Sequence, residues 1–356
     1  MIRWLLAVLF SLYAVGAAAQ DDPTELPWGQ GFPVLIRTGL SFVEIQAITE
    51  NEGTFTATVD MRLRWRDLRL AYPATAKAAG YQEYRNDAAE KRLGEIWNPG
   101  VVFANMVGEP TYQKRGLRIS PNGQVELMQR TTATFTASFP LDKFPFDRQK
   151  LNVDLVSRLE PIQRVQLDFR QDELEFSNTR YISEIDGWIP GLVELAQAPV
   201  AAWRGEINTG MQVALVVKRD QGSLLATIFV PLFASLLIPL LVVWLNRIED
   251  GEFVVDSFEL TNISIGGLFA VVALNFTVNS SFVNLAVGNN PVMQLFGLNY
   301  AILGLSIAIG IAMYRFNAIK KLAGPYIQEE FFTYINWAIP VLVFSTGAAM
   351  MAMALF

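Results

Sequence analysis

Glu259, Thr261, Asn262, Ser264, Asn275, Thr277, Asn279 and Ser280 interrupt a run from Asp256 to Ser281 that is otherwise apolar and long enough to cross a bilayer. An unpaired polar group in hydrocarbon is costly, so a span carrying this many needs water or a protein partner along one side. Stepping alternately three and four residues from Glu259 selects Asn262, Gly266, Phe269, Ala273, Phe276 and Ser280, one stripe along a helix. The stripe is polar at both ends and bulky and apolar between them. Such a profile suits a water-filled conduit with a charged mouth and a hydrophobic constriction that gates by dewetting. On this stretch alone a second reading stays open, a helix buried in a bundle with its polar groups bonded to neighbouring helices. One helix cannot enclose a pore, so the conduit reading requires a closed ring of identical subunits.

Bond-making chemistry is poorly supplied. The chain has no cysteine and no histidine, which removes thiolate nucleophiles, disulfides, imidazole bases and most metal-ligand sets. Neither an enzyme nor a cofactor is called for, and any response to pH falls to carboxylates. A formal net charge of -6 and a pI near 5.0, with no long basic tract, argue against a nucleic-acid partner. Two acidic segments, residues 171–175 and 184–186, invite a Ca²⁺ reading, but neither has EF-hand spacing and a metal site stays undefined.

The elements that must position the stripe follow from pattern. With 356 residues, 52% of them hydrophobic, and mean hydropathy +0.28, the chain suits about two domains and a membrane. Residues 1–20 carry Arg3, an apolar run and a small-residue end, the pattern of a secretory signal peptide. Within a domain at residues 21–222, the stretch from about Phe32 to Arg219 has period two, most clearly from Thr54 to Arg66, where Phe55, Ala57, Val59, Met61, Leu63 and Trp65 share one face. Many short strands between turn signals predict an extracellular antiparallel β-sandwich, with a short helix at Asp87 to Leu93. Residues 223–356 predict a four-helix transmembrane bundle, its spans at about 224–245, at the polar stripe, at 293–314 and at 334–356. Arg315, Lys320 and Lys321 between the last two spans place that linker in the cytoplasm, whereas the loop from Ser281 to Pro291 is uncharged. The linker between the first two spans is acidic, with Glu249, Asp250, Glu252 and Asp256 against Arg247, which concentrates cations at one mouth of the conduit.

Several motifs resemble the pentameric ligand-gated ion channel (Cys-loop receptor) family, in particular its bacterial members, which lack the cysteine pair. Leu141-Asp142-Lys143-Phe144-Pro145-Phe146-Asp147-Arg148-Gln149 is similar to the family's F/Y-P-F/M-D-x-Q loop. Trp65-Arg66-Asp67-Leu68-Arg69-Leu70 resembles its W-x-D-x-R-L segment. Ile96-Trp97-Asn98-Pro99 resembles I-W-x-P-D, with Gly100 where aspartate is usual. Pro121-Asn122-Gly123 matches a family turn, and Arg219 stands where the family keeps an arginine before the first span.

The resemblance implies a homopentamer in the inner (plasma) membrane, multi-pass, with its N-terminal domain periplasmic or extracellular and in contact with membrane lipid. It implies a pore lined by the second span, with Glu259 as selectivity ring and Phe269 and Phe276 as gate. Carboxylates spaced ~8 Å apart around such a mouth repel by only about 0.5 kcal/mol per pair in a water-like dielectric, so most stay ionised and favour permeant cations. The family pairing implies Asp147 with Arg219, joined by Glu50 or Glu52, while Phe144, Pro145 and Phe146 press on the loop ending at Pro291. Agonist candidates are Asp60, Arg62, Arg158, Glu160, Phe103 and Trp203. They make no complete aromatic cage, which disfavours quaternary ammonium and leaves a proton, a divalent cation or a small acid. A non-conducting receptor or accessory subunit of the same architecture is the alternative.

Overall fold

The computed structural model describes residues 22–27, 31–76, 80–178, 185–249, 252–255, 257–281 and 290–355. The segment 1–20, expected from its sequence to be a signal peptide, lies outside them, as does most of the loop between Ser281 and Pro291. Strands β1 (Val34–Thr49), β2 (Thr54–Arg66), β3 (Gln82–Arg85), β5 (Met106–Ile119), β6 (Gln124–Thr136) and β8 (Val165–Asp168) form one sheet in the order β3-β5-β6-β2-β1-β8. The other sheet holds β4 (Val101–Phe103), β7 (Arg148–Pro161), β9 (Trp188–Gln197), β10 (Val200–Ala201) and β11 (Ile207–Arg219), ordered β10-β11-β7-β4 with β9 also on β11. Pairing is antiparallel except between β1 and β8, which run parallel.

The period-two pattern decides which face goes inward. Phe55, Ala57, Val59, Met61, Leu63 and Trp65 of β2 are buried against Leu151, Val153 and Leu155 of β7 and Met211, Val213, Leu215 and Val217 of β11, making a sandwich core. The Trp65 and Trp97 rings meet edge to face at 6.2 Å, joining two of the motifs across that core. At Gly123, with φ +77°, a Cβ would lie 2.4 Å from the Asp67 carbonyl, so only glycine lets this turn close on the strand end. Gly100 also has positive φ, +56°, where a Cβ would meet the side chain of Leu159. Helix α1 (Asp87–Gly94) forms where the pattern places it, and α2 (Gln171–Asn178) covers β1.

The membrane half begins directly after β11. Gln221–Leu224, a π turn at Leu225–Phe229 and Val230–Trp244 run on as one helix, α3. Helix α4 (Ser257–Ser281) is the polar span, and α5 (Pro291–Ile309) continues as a π turn to Arg315. The short α6 (Ala318–Ala323) leads to α7 (Pro325–Leu355). Among the described residues four helices are thus long and apolar enough to cross a membrane. The last starts nine residues earlier than its hydropathy suggests, because Gly324 at φ +94° ends α6 and Pro325 is preorganised for a first helical turn. Glu329 and Glu330, read from sequence as linker, are exposed on its first turns.

One bond in this bundle follows from a missing one. Pro340, inside α7, has no N–H to give the Asn336 carbonyl one turn back. The Trp244 indole N–H fills that vacancy from α3 at 2.9 Å. In hydrocarbon no water competes for the carbonyl, and such interhelical bonds contribute roughly 0.6–2 kcal/mol. Trp244→Phe should therefore lower the thermal stability of the protein in liposomes. The loss should shrink in a Pro340→Ala background, which restores the N–H within the helix. Equal losses in both backgrounds, measured by thermal unfolding, would show that the bond contributes nothing specific.

Candidate functional site

Helix α4 packs along a narrow seam. Leu260, Ser264, Val271 and Val278 are buried at 5% exposure or less, and a Cβ on Gly267 would come within 2.6 Å of Ile238. Glu259, Asn262, Gly266, Phe269, Ala273, Phe276 and Ser280 are all exposed, Phe269 at 71% and Phe276 at 75%. At about 100° per residue the stripe is centred roughly 160° from the seam, almost diametrically opposite it. The stripe is therefore not buried among the other helices of its own chain. The two adjacent glycines differ accordingly: Gly267 permits close helix packing, whereas Gly266 faces open space.

Several polar side chains of α4 bond back to the helix itself. Thr277 Oγ1 donates to the Ala273 carbonyl at 2.9 Å, Ser280 Oγ to Thr277 at 2.9 Å, and Asn279 Nδ2 to Asn275 at 3.0 Å. Such back-bonding lowers the cost of these groups in a membrane. Glu259, an acid in the first turn, gains from the helix dipole.

A second constellation lies where sandwich and helices meet. Arg219, the last residue of β11, is 3% exposed and donates to both oxygens of Asp147, at 2.8 and 3.0 Å, and to both oxygens of Glu50, at 2.9 and 2.6 Å. Its guanidinium stacks over Trp188 at 4.2 Å and over Phe144 at 4.9 Å. Burial works against the charge, but the hydrogen bonds that the guanidinium donates to Glu50 and Asp147 outweigh it and hold the guanidinium above its ordinary value. Because the folded-state value is the higher one, this stabilisation is complete below the unfolded arginine value and is lost only in strong base. Asp147 is steadied from behind by Gln149, whose Nε2 donates to it at 2.6 Å and to the Pro140 carbonyl at 2.8 Å.

Beside this ion cluster the loop enters the helical bundle. Phe144, fully buried, and Leu141 pack with Ile228, Phe229 and Leu232 of α3, Val271 and Val278 of α4 and Val292 of α5. Pro145 is buried and Phe146 half-buried. Pro291 is buried at the start of α5, where Asn290 caps the helix by accepting from the Met293 N–H at 3.0 Å. Of the two candidate acids in the β1–β2 turn, Glu50 joins Arg219 and Glu52 is exposed. Trp188 and Gln149 were missed as members of this cluster; Gln149 stood in the loop motif, and Trp188 carries no sequence signal.

The agonist candidates separate. Asp60 is 4% exposed and paired with Arg130 at 2.7 and 2.8 Å, so its carboxylate is already used. Arg62 lies 4.1 Å from the Phe176 ring of α2 and donates to the Asp172 carbonyl at 3.0 Å. Burial and neighbouring Arg64 depress its pKa. Both belong to an open groove of about 900 Å³ on the β3-β5-β6-β2 face. Arg158, Glu160 and Trp203 line a different cleft of about 530 Å³ beside β7, β10 and β11. Phe103 belongs to neither: its ring sits edge-on to Phe135 at 5.7 Å in the sandwich core, since the middle residue of three-residue β4, Val102, takes the outward position. Within one chain the six residues form no single pocket. Among the described residues no group of three or more acids is arranged to hold a metal ion.

Removing Arg219 leaves two buried or half-buried carboxylates facing each other, a change worth roughly 3–5 kcal/mol. Arg219→Gln should lower the unfolding midpoint sharply, and Arg219→Lys, which keeps charge without the bidentate fork, should fall between it and the parent. Glu52→Gln should have no effect. A stable Arg219→Gln protein would contradict the geometry.

A family model described as the neurotransmitter-gated ion-channel ligand binding domain matches residues 20–220, more than half of the chain. The proton-gated ion channel of Gloeobacter violaceus is 21% identical over 233 residues, which is 65% of this chain and 62% of the relative. Gamma-aminobutyric acid receptor subunit theta of Mus musculus is 26% identical over 226 residues, 61% and 33% of the two chains. Subunit rho-3 of Homo sapiens is 28% identical over 141 residues, 38% and 29%. The alignments therefore span less than two thirds of each of these relatives. Matched over the sandwich and followed by four membrane-length helices, the chain belongs to the pentameric ligand-gated ion channel family, a family of channels rather than enzymes.

Proposed function

We propose that this protein is a homopentameric, cation-selective, ligand-gated channel of the plasma (inner) membrane, its sandwich on the outer side and its pore lined by α4. The observation that carries the reading is the exposed stripe from Glu259 to Ser280, opposite the seam that binds α4 to its own bundle. In a ring these stripes converge on water, and five Glu259 carboxylates draw cations to the mouth. Glu249 and Glu252 of the preceding linker are exposed but paired with Arg247 and Lys320, which leaves Glu259 to set the field.

Agonist binding belongs between subunits. In a head-to-tail ring the face of one subunit that bears Asp60 and Arg62 meets the face of the next that bears Arg158, Glu160 and Trp203. The larger groove is lined by Arg62, Arg85, Lys114, Arg115, Arg118 and Arg130 against Asp60, Glu83 and Glu126. That basic excess favours a small acid over a divalent cation as agonist. Movement there reaches the pore through Glu50, Asp147 and Arg219, and through Phe144, which shares the bundle cluster with residues of α4 and α5. The bulk of Phe269 and Phe276 favours one rival reading, a non-conducting receptor whose stripe is plugged.

Phe269→Ala removes a constriction and tests both readings without a known agonist. If dewetting there contributes ~1.4 kcal/mol to the barrier, basal K⁺ flux from liposomes should rise about tenfold. In that background Glu259→Gln should move the reversal potential in a KCl gradient away from the K⁺ potential toward zero. No flux from any assembled variant supports the rival, and flux with an unmoved reversal potential removes Glu259 as selectivity ring.

A further inference from the structure

The linker between α3 and α4, read from sequence only as acidic, is a built element. Ile248–Glu249 pairs with Glu252–Phe253 as a two-stranded hairpin, Ile248 opposite Phe253 and Glu249 opposite Glu252. Asn246, 2% exposed, closes its base: Oδ1 accepts from the Val255 N–H at 3.1 Å, and the Arg247 carbonyl accepts from the Val254 N–H at 3.0 Å. The Phe253 ring is wedged between Tyr314, at 4.5 Å and 64°, and Phe332, at 5.1 Å and 84°. Tyr314 ends the third span, and Phe332, 3% exposed, belongs to α7. Ile248 and Phe253 pack against the cluster of Leu236, Leu240, Val243, Met313 and Phe332. Glu252 pairs with Lys320 of α6, whose N–H donates to the buried Gln328 of α7 at 3.0 Å.

Glu259 follows Phe253 by six residues, so the anchor of this ring sets where α4 begins. A hairpin that merely reversed the chain would need no ring held edge-on by two other spans. We infer that Phe253 is a positioning residue for the Glu259 mouth and that it ties the mouth to α7 through Phe332. This rests on the reading of α4 as pore-lining. Helix α7 is the least buried of the four candidate spans among the described residues. A displacement of α7 at Phe332 unseats Phe253 and shifts the cytoplasmic ends of the α4 helices together.

The sequence contains no cysteine, which permits a clean test on the full chain in liposomes. A spin label at Phe258→Cys, beside the mouth, should give two distances in a ratio of about 1.6, those of neighbours and next-neighbours in a five-fold ring. Phe253→Ala and Phe332→Ala should each shift and broaden both distances. The double variant should be no broader than the worse single, and Phe253→Tyr should keep the parent distances. If Phe253→Ala does not assemble, Phe253→Leu, which fills space without the aromatic edge contact, carries the same expectation. Absence of the two-distance pattern in the labelled parent overturns the pore reading itself. The pattern present but unmoved by every Phe253 variant overturns the positioning role, and movement with Phe253 but not Phe332 overturns the tie to α7.

Discussion

A carboxylate and a file of amides and hydroxyls cannot lie against hydrocarbon without a partner, and the membrane half of this protein is shaped by that constraint. Helix α4 spends its buried side on a thin seam of Leu260, Ser264, Val271 and Val278 and leaves the polar stripe facing away from its own chain. Back-bonding within the helix relieves Thr277, Asn279 and Ser280. It does nothing for the charge of Glu259. The single chain therefore carries a face that its own helices leave uncovered, and the ring of copies proposed above is what gives that face water.

The junction above the bundle obeys a related rule. A buried guanidinium is tolerable because two carboxylates and two aromatic faces surround it, so no member can move alone without uncovering charge. Glu50 comes from the β1–β2 turn, Asp147 from the loop before β7 and Arg219 from the end of β11; the three strands therefore end on one fixed point. Phe144 extends that point into the helices, where Val271 and Val278 of α4 lie in the same cluster. Such a cluster fixes the geometry of the junction more than it adds stability, since a buried ion cluster contributes little net folding energy.

Much of this architecture was legible in the sequence for a specific reason. Alternation in β2 shows which side of the sheet is core, because a pleated strand repeats every two residues and the buried side must be apolar. The α4 stripe emerges from three- and four-residue steps in the same way. Three things were not legible. Glu50 and Glu52 are equivalent in composition, and only the tight turn ending at Gly53, φ +64°, turns one toward Arg219 and the other to solvent. Phe103 stood out only as an aromatic side chain, and three-residue β4 gives too short an alternation to show that its ring packs on Phe135. The hairpin before α4 was hidden by its own charges, since Glu249 and Glu252 drew attention from Ile248 and Phe253, which do the packing.

The claim on which the channel account stands is that the Glu259-to-Ser280 stripe faces water inside a ring. A single-cysteine scan of α4 in the full chain, reconstituted in liposomes and treated with a small, charged, membrane-impermeant thiol reagent, tests it most directly. The account predicts modification at positions 259, 262, 266, 269, 273, 276 and 280, at three- and four-residue intervals, with protection at 260, 264, 271 and 278. Protection of the stripe from the charged reagent, together with labelling by a lipid-soluble one, would place it against lipid and contradict the account.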